Sequence, residues 1–225
     1  MSVAPLSTIP FTSHVIEHRP VSSTAHELTI ERNGMQFEPG MLLTIHGSDR
    51  THDREYSICS APHHEHLQIL YRYISSGRLT TYLRGLHAGD EIMVSGAHGS
   101  FVVRDRNAPI VFIGTGTGIA PCLSYMRSFP DLDLTVIHGV RDDEDLFYAD
   151  ELERYPYFPC VTQSSNPELR RRVTDLLRSR QFAADSHYYL CGAYEMIYDV
   201  MELLIERGVD RTAIFQEPYY YQDGA

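Results

Sequence analysis

The sequence predicts two domains, an antiparallel β-barrel over residues 1–105 followed by an α/β domain with a parallel sheet over 106–225. Three observations carry that expectation. Residues 11–104 run as short apolar or alternating segments separated by Pro, Gly, Asn and Asp, the pattern of a small all-β fold. From Pro109 onward the rhythm becomes strand, turn, helix, which calls for a parallel sheet covered by helices. The change falls in Arg104-Asp105-Arg106-Asn107-Ala108, a polar connector, and 225 residues are enough for two separate cores.

In the first half, Val15-Ile16, Glu27 to Ile30, Met41 to Ile45, Leu67 to Tyr71 and Glu91 to Val94 read as strands because each is apolar or alternating and bounded by turn residues. In the second half, Ile110 to Ile113 reads as a buried strand followed by a helix over Pro121 to Phe129. The alternation repeats as Leu134 to His138 then Asp145 to Glu153, and Cys160 to Thr162 then Val173 to Ser179. It closes with Tyr188 to Leu190 then Met196 to Glu206. Internal repeats and low-complexity tracts are absent from the sequence.

Composition narrows the function classes. Hydrophobic content of 43% and charged content of 22% suit a globular chain, and no apolar run nears the roughly 20 residues that span a bilayer. Met1 to Pro10 lack the basic start and apolar stretch of a secretory signal, so a cytoplasmic location is expected, in keeping with four scattered cysteines. A net charge of −11 opposes nonspecific nucleic-acid binding. All 19 basic residues are Arg, which removes Schiff-base chemistry and leaves a planar guanidinium wherever phosphate must be gripped.

The most informative segment is Ile113-Gly114-Thr115-Gly116-Thr117-Gly118-Ile119-Ala120-Pro121, between a buried strand and a helix. Such a turn offers main-chain N–H groups to a pyrophosphate. A Cβ at Gly114, Gly116 or Gly118 would hold the phosphate off the backbone or forbid the turn's dihedrals. Upstream, Arg54-Glu55-Tyr56-Ser57 combines a permanent charge with an aromatic and a small hydroxyl. Taken alone, it also reads as a strand with an outward Arg and an inward Tyr.

These two segments, in this order, resemble the plant-type ferredoxin-NADP reductase superfamily over nearly the whole chain. Four further signatures fall in family order: Gly77-Arg78-Leu79-Thr80-Thr81-Tyr82-Leu83, Gly96-Ala97-His98-Gly99-Ser100-Phe101, Cys191-Gly192-Ala193-Tyr194-Glu195-Met196 and Glu217-Pro218-Tyr219. The second departs from the usual Gly-Pro-x-Gly-x-Phe at Ala97. The resemblance implies FAD on the barrel and NAD(P)H on the α/β domain. Arg54 would hold the flavin phosphate, Tyr56 lie along the flavin and Ser57 face its N5. Gly77, Thr80 and Thr81 would form a second flavin-phosphate site, and Tyr71 joins the cofactor-binding set. Gly114, Thr115, Gly116, Thr117, Gly118 and Pro121 would hold the nicotinamide nucleotide's pyrophosphate, with Cys191, Gly192 and Met196 flanking its reactive ring. Cys191 also admits reading as a buried structural thiol. Tyr219 would stack on the flavin beside Glu217, although Tyr220 or Tyr221 could supply that ring. Ser57, Cys191, Glu217 and Tyr219 are the expected catalytic residues.

The resemblance further implies electron transfer between NAD(P)H and a small one-electron carrier such as ferredoxin or flavodoxin. Two rivals remain: an NAD(P)H:flavin oxidoreductase, and a noncatalytic subunit of a larger complex. Arg72, Arg78 and Arg84 are the candidate docking patch for a carrier. Gln163 stands where NADPH-selecting members place an Arg, while Ser164, Ser165 and Arg170-Arg171-Arg172 could still reach a 2′-phosphate, so the nucleotide is open. His63-His64-Glu65-His66 reads as a solvated loop rather than a metal site, because adjacent side chains diverge on an extended backbone. Cys59, Cys122, Cys160 and Cys191 are too widely spaced for an iron-sulfur signature, so a separate electron acceptor is expected.

Overall fold

In the computed structural model the described residues are 9–48 and 52–219. They form two compact units, one comprising the chain up to 103 with 123–128, the other 104–122 with the chain from 129 onward.

The first unit contains β1 (Phe11–Pro20), β2 (Ala25–Glu31), β3 (Leu42–His46), β4 (Arg54–Ser57), β5 (His66–Arg72), α1 (Arg78–Arg84) and β6 (Glu91–His98). The strands form one antiparallel sheet in the order β4-β3-β6-β1-β2-β5. Its two edges are joined just beyond β4, where Ile58 bridges Ile69 and the Cys59 N–H donates to the Gln68 carbonyl at 2.8 Å. That closure makes the sheet a barrel and removes its exposed edges. The interior follows from alternation along the strands: Leu28, Ile30, Leu43, Ile45, Leu67, Ile69, Ile92 and Val94 turn inward, joined by Leu79 and Leu83 of α1.

The second unit contains β7 (Ile110–Thr115), α2 (Ala120–Ser128, whose end belongs to the first unit), β8 (Leu134–Val140), α3 (Ala149–Leu152), β9 (Tyr157–Val161), α4 (Val173–Ser179), β10 (His187–Ala193), α5 (Tyr194–Glu206) and β11 (Ile214–Tyr219). All five strands are parallel, in the order β11-β10-β7-β8-β9. β7 is central, and Ile110 to Ile113 are buried on both faces, as an unbroken apolar run requires. Chain order reverses between β7 and β10, and such a switch point opens a crevice at the carboxyl ends of the strands. Among the described residues no helix is long and apolar enough to cross a membrane.

Two elements differ from the sequence expectation. Residues 145–153 do not form one helix: a 3₁₀ turn at Asp143–Asp145 is separated from the short α3 by Tyr148, whose φ is +61°. The interruption lets Phe147 turn inward against His138, with ring centroids 5.5 Å apart. The sequence rhythm assigns no strand to the C-terminal segment, which forms the parallel edge strand β11. Its Pro218 is tolerated there because an edge strand has one side with no ladder to complete.

Gly40 shows how tightly the first unit closes. Its φ is +92°, and a Cβ would lie 1.9 Å from the Phe101 carbonyl oxygen, which also accepts a hydrogen bond from the Tyr125 hydroxyl. Gly34 has a similar φ of +76° but open space around it. Urea unfolding should therefore show Gly40→Ala destabilised by more than about 3 kcal/mol, against about 1 kcal/mol for Gly34→Ala. Equal losses would mean that the crowding at Gly40 is relieved without cost.

Candidate functional site

In the second unit, β7 ends at Gly114-Thr115 and the chain turns through a 3₁₀ segment, Gly116–Ile119, into α2. The three glycines have different physical reasons. A Cβ on Gly114 would lie 2.9 Å from the Gly118 carbonyl oxygen, and one on Gly118 would lie 2.4 Å from that of Cys191. Both are thus required by neighbouring protein backbone. Gly116 alone has φ of +53° and nothing within 4 Å of its Cβ position. That open, left-handed position is the part of the turn a pyrophosphate can approach, so the residues present fit a dinucleotide. Pro121 lies in the first turn of α2, where its missing N–H costs no helical bond.

The turn is fastened from both sides. On one, the Ala193 N–H donates to the Thr115 hydroxyl at 3.1 Å. Gly192, with φ of +127°, passes so close that a Cβ would meet the same hydroxyl oxygen at 2.2 Å. On the other side, His138 of β8 reaches the Gly116 carbonyl through Nε2 at 3.0 Å and lies 3.4 Å from the Tyr157 hydroxyl through Nδ1. A carbonyl only accepts, so Nε2 carries the proton, and the Tyr157 hydroxyl donates to Nδ1. His138 is fully buried, and that desolvation pushes its pKa down to about 4. Sequence reading overlooked this residue. Its one signal was an imidazole in an otherwise apolar strand.

Gly192's strand, β10, brings further candidates together. In the β10–β11 register Cys191 lies opposite Glu217 and Ala193 opposite Tyr219, while Cys191 lies opposite Gly114 on the β7 side. The Cys191 thiol is fully buried and hydrogen-bonded by the Tyr219 side chain. Burial, with the Glu217 carboxylate adding to it, holds its pKa far above the ordinary thiol value. It is therefore a neutral thiol, suited to shaping a ring contact and unsuited to nucleophilic attack. Met196 packs against the core of this unit. Tyr220 and Tyr221 lie outside the described residues.

In the first unit, Arg54 is exposed, with its guanidinium donating to the neighbouring Asp53 carbonyl at 2.8 Å. Along β4, Glu55 is bonded to His98 at 2.7 Å, Tyr56 is half-buried and Ser57 is buried. Tyr56 meets Tyr71 edge-to-face at 6.4 Å. Tyr71 lies in the barrel core with its hydroxyl 2.9 Å from His18 Nε2. Gly77 precedes α1 with an ordinary φ of −82°; it is a glycine because a Cβ would meet the Thr80 hydroxyl at 2.7 Å. Thr80 spends that hydroxyl on the Ile74 carbonyl, at 2.9 Å, and so builds the turn. Thr81 is exposed at the helix start. An exposed guanidinium, an exposed hydroxyl and a buried serine form a donor set that fits a flavin nucleotide.

Among the described residues, no group of three or more His, Cys, Asp or Glu is placed to hold a metal ion. Two fold families match: residues 12–103 match the oxidoreductase FAD-binding domain and residues 112–202 the oxidoreductase NAD-binding domain. The chain is 30% identical to ferredoxin–NADP reductase B of Sorangium cellulosum, across 93% of this chain and 98% of that protein. It is 29% identical to the reductase component of propane 2-monooxygenase from Rhodococcus jostii, matching 84% of this chain but spanning only 57% of that longer protein. In fold it is similar to a ferredoxin NADP+ reductase from Neisseria gonorrhoeae with bound FAD and NADP, at a TM-score of 0.84 and 21% identity over 94% of this chain and 99% of that one. A closed barrel, a parallel sheet with its glycine turn at the switch point, and these two domain matches define the class of two-domain FAD- and NAD(P)-dependent oxidoreductases. Within it, the chain belongs to the ferredoxin-NADP reductase family of flavoenzymes.

The buried imidazole gives this site a pH signature. His138 titrates at about 4 when folded and at 6.5 when unfolded, so its contribution is intact above pH 6.5 and is lost as pH falls toward 4. The loss amounts to about 3 kcal/mol. Urea unfolding from pH 7 to 4 should show a shallower acid slope in His138→Gln than in the parent. Identical slopes would mean that His138 is not held neutral.

Proposed function

We propose that the chain binds FAD on residues 1–105 and NAD(P)H on residues 106–225, and carries electrons between the nicotinamide and a small one-electron acceptor of the ferredoxin or flavodoxin type. The observation that carries this reading is the β10–β11 register. It sets Cys191 beside Glu217 and Ala193 beside Tyr219, at the carboxyl end of the strand that flanks the glycine turn. The matching relatives, a ferredoxin–NADP reductase and a monooxygenase reductase component, support an electron-transfer reductase.

In this reading Gly114, Thr115, Gly116, Thr117, Gly118 and Pro121 present the turn to the pyrophosphate, and Gly192 and Met196 bound the nicotinamide side. Arg54, Tyr56, Ser57, Gly77, Thr80 and Thr81 hold the flavin, and Tyr71 supports Tyr56 from within the barrel. The bound flavin supplies the conversion of a two-electron hydride into one-electron steps. The protein's own part is positioning and water exclusion, to which Ser57, Cys191, Glu217 and Tyr219 contribute. Arg72, Arg78 and Arg84 remain the docking candidates. All three are exposed, and Arg84 lies over the Tyr73 ring at 4.4 Å, so its charge is held in place. Four buried cysteines without a disulfide favour a reducing, cytoplasmic setting.

The test is the visible spectrum of dialysed protein before and after anaerobic NADH or NADPH. Retained flavin that bleaches supports the reading; colourless protein that oxidises NAD(P)H only with added flavin would make it a flavin reductase. Arg54 is exposed and donates to its neighbour's carbonyl, so Arg54→Ala should leave urea stability within about 0.5 kcal/mol. Flavin affinity should fall about tenfold to a hundredfold. Unchanged flavin retention would remove Arg54 from the phosphate site.

A further inference from the structure

Beyond the glycine turn, the next two carboxyl ends of the sheet carry an interlocked polar group. β8 leads into Arg141, Asp142 and Asp143, and β9 leads into Thr162, Gln163, Ser164 and Ser165. Main-chain bonds join the two loops: the Thr162 N–H donates to the Val140 carbonyl at 3.1 Å and the Gln163 N–H to the Arg141 carbonyl at 2.8 Å. Asp143 then collects the serines. Its Oδ1 accepts from the Ser164 hydroxyl at 2.5 Å, and its Oδ2 accepts from the Ser165 N–H and hydroxyl, each at 3.1 Å. With its amide oriented by its neighbours, Gln163 accepts from Arg141 at 3.2 Å and donates to Asp142 at 3.2 Å. Arg141 also lies 3.9 Å from the Asp142 carboxylate.

The Ser164 and Ser165 hydroxyls and the Arg141 guanidinium are thus turned onto carboxylates and an amide of the same ridge, and the Thr162 hydroxyl onto main-chain carbonyls. Arg141 is outnumbered by Asp142, Asp143 and Glu144. Of the three consecutive arginines downstream, Arg171 lies against the buried Cys160 thiol, Arg172 opens α4 with its main-chain N–H on Asp175 at 3.0 Å, and the Arg170 and Arg172 side chains are exposed beyond the serine loop rather than part of the ridge. The Asp143 hydrogen bonds, led by that from Ser164, hold its carboxyl below the usual carboxylate range, so it is ionised at neutral pH.

In open α/β sheets the dinucleotide lies across the carboxyl ends, and an acidic side chain at the end of the second strand accepts from a ribose hydroxyl, whereas a 2′-phosphate calls for a free Arg. β8 is the second strand here and borders the turn through His138 and Gly116. We infer that Asp143, with Ser164 and Ser165 held against it, is the specificity-determining residue of the nucleotide site and selects a dinucleotide with a free adenosine 2′-hydroxyl, NADH, over one bearing a 2′-phosphate. This rests on the reading of 106–225 as the nicotinamide-nucleotide domain.

Calorimetric titration of the full chain with NAD+ and NADP+ tests it without recourse to turnover. NAD+ should bind at least about tenfold more tightly than NADP+, because a dianionic phosphate meets a carboxylate. Asp143→Asn, which keeps an acceptor oxygen and removes the charge at an exposed position, should narrow that ratio severalfold. Asp131→Asn, the same charge change at a remote exposed site, should leave it unaltered. Tighter or equal binding of NADP+ by the parent, or an equal shift in both variants, overturns the selection while leaving the nucleotide site standing. Binding of neither nucleotide overturns the domain assignment and the selection with it.

Discussion

The second unit depends on a close approach of two stretches of main chain. Gly118 lies against the Cys191 carbonyl and Gly192 against Thr115, in each case with less room than one methyl group needs. The contact joins the strands on either side of the point where chain order reverses. At Gly118 it is made by backbone against backbone, which leaves no side-chain freedom there to absorb error. The position of the turn relative to β10 is therefore fixed to within the few tenths of an ångström that van der Waals repulsion allows.

Within each unit, polar groups hold backbone rather than face solvent. His138 fixes one carbonyl of the turn, the Thr115 hydroxyl takes an N–H from β10, and in the first unit Thr80 and Tyr125 do the same for Ile74 and Phe101. Buried groups of this kind contribute only about 1 kcal/mol each when satisfied but cost more when orphaned. Their value lies in selecting one arrangement of each turn. Turns held this way suit a protein that positions bound groups more than one that relies on reactive side chains. The neutral, fully buried Cys191 thiol fits the same logic.

Much of this was legible in the residues. The change from period-two strands to alternating strands and helices separates the two folds, and the apolar run 110–113 marks the central strand. The order of the motifs gives the class. What stayed hidden depends on long-range register. No local pattern says that Ile214–Tyr219 will pair in parallel with β10, because an edge strand containing Pro and followed by polar residues looks like a tail. Nor does spacing reveal that Gly118 is a glycine because of Cys191, 73 positions away in sequence, rather than because of a phosphate. The Asp143 carboxylate and the two serines it binds come from different loops, so their union appears only in three dimensions.

Among the described residues β11 is the last strand, yet it supplies Glu217 and Tyr219 to the neighbourhood of Cys191. During synthesis the barrel, the glycine turn and β10 all leave the ribosome before it. Those earlier parts have their own cores and can collapse first, since domains form as units in order of emergence. The polar and aromatic neighbourhood of Cys191 is complete only once β11 has docked in parallel beside β10, a pairing that local turns cannot template. An interrupted chain would keep the glycine turn and lack the acidic and aromatic side chains beside the thiol. On the proposed roles of these residues, it would hold nucleotide before it could use it.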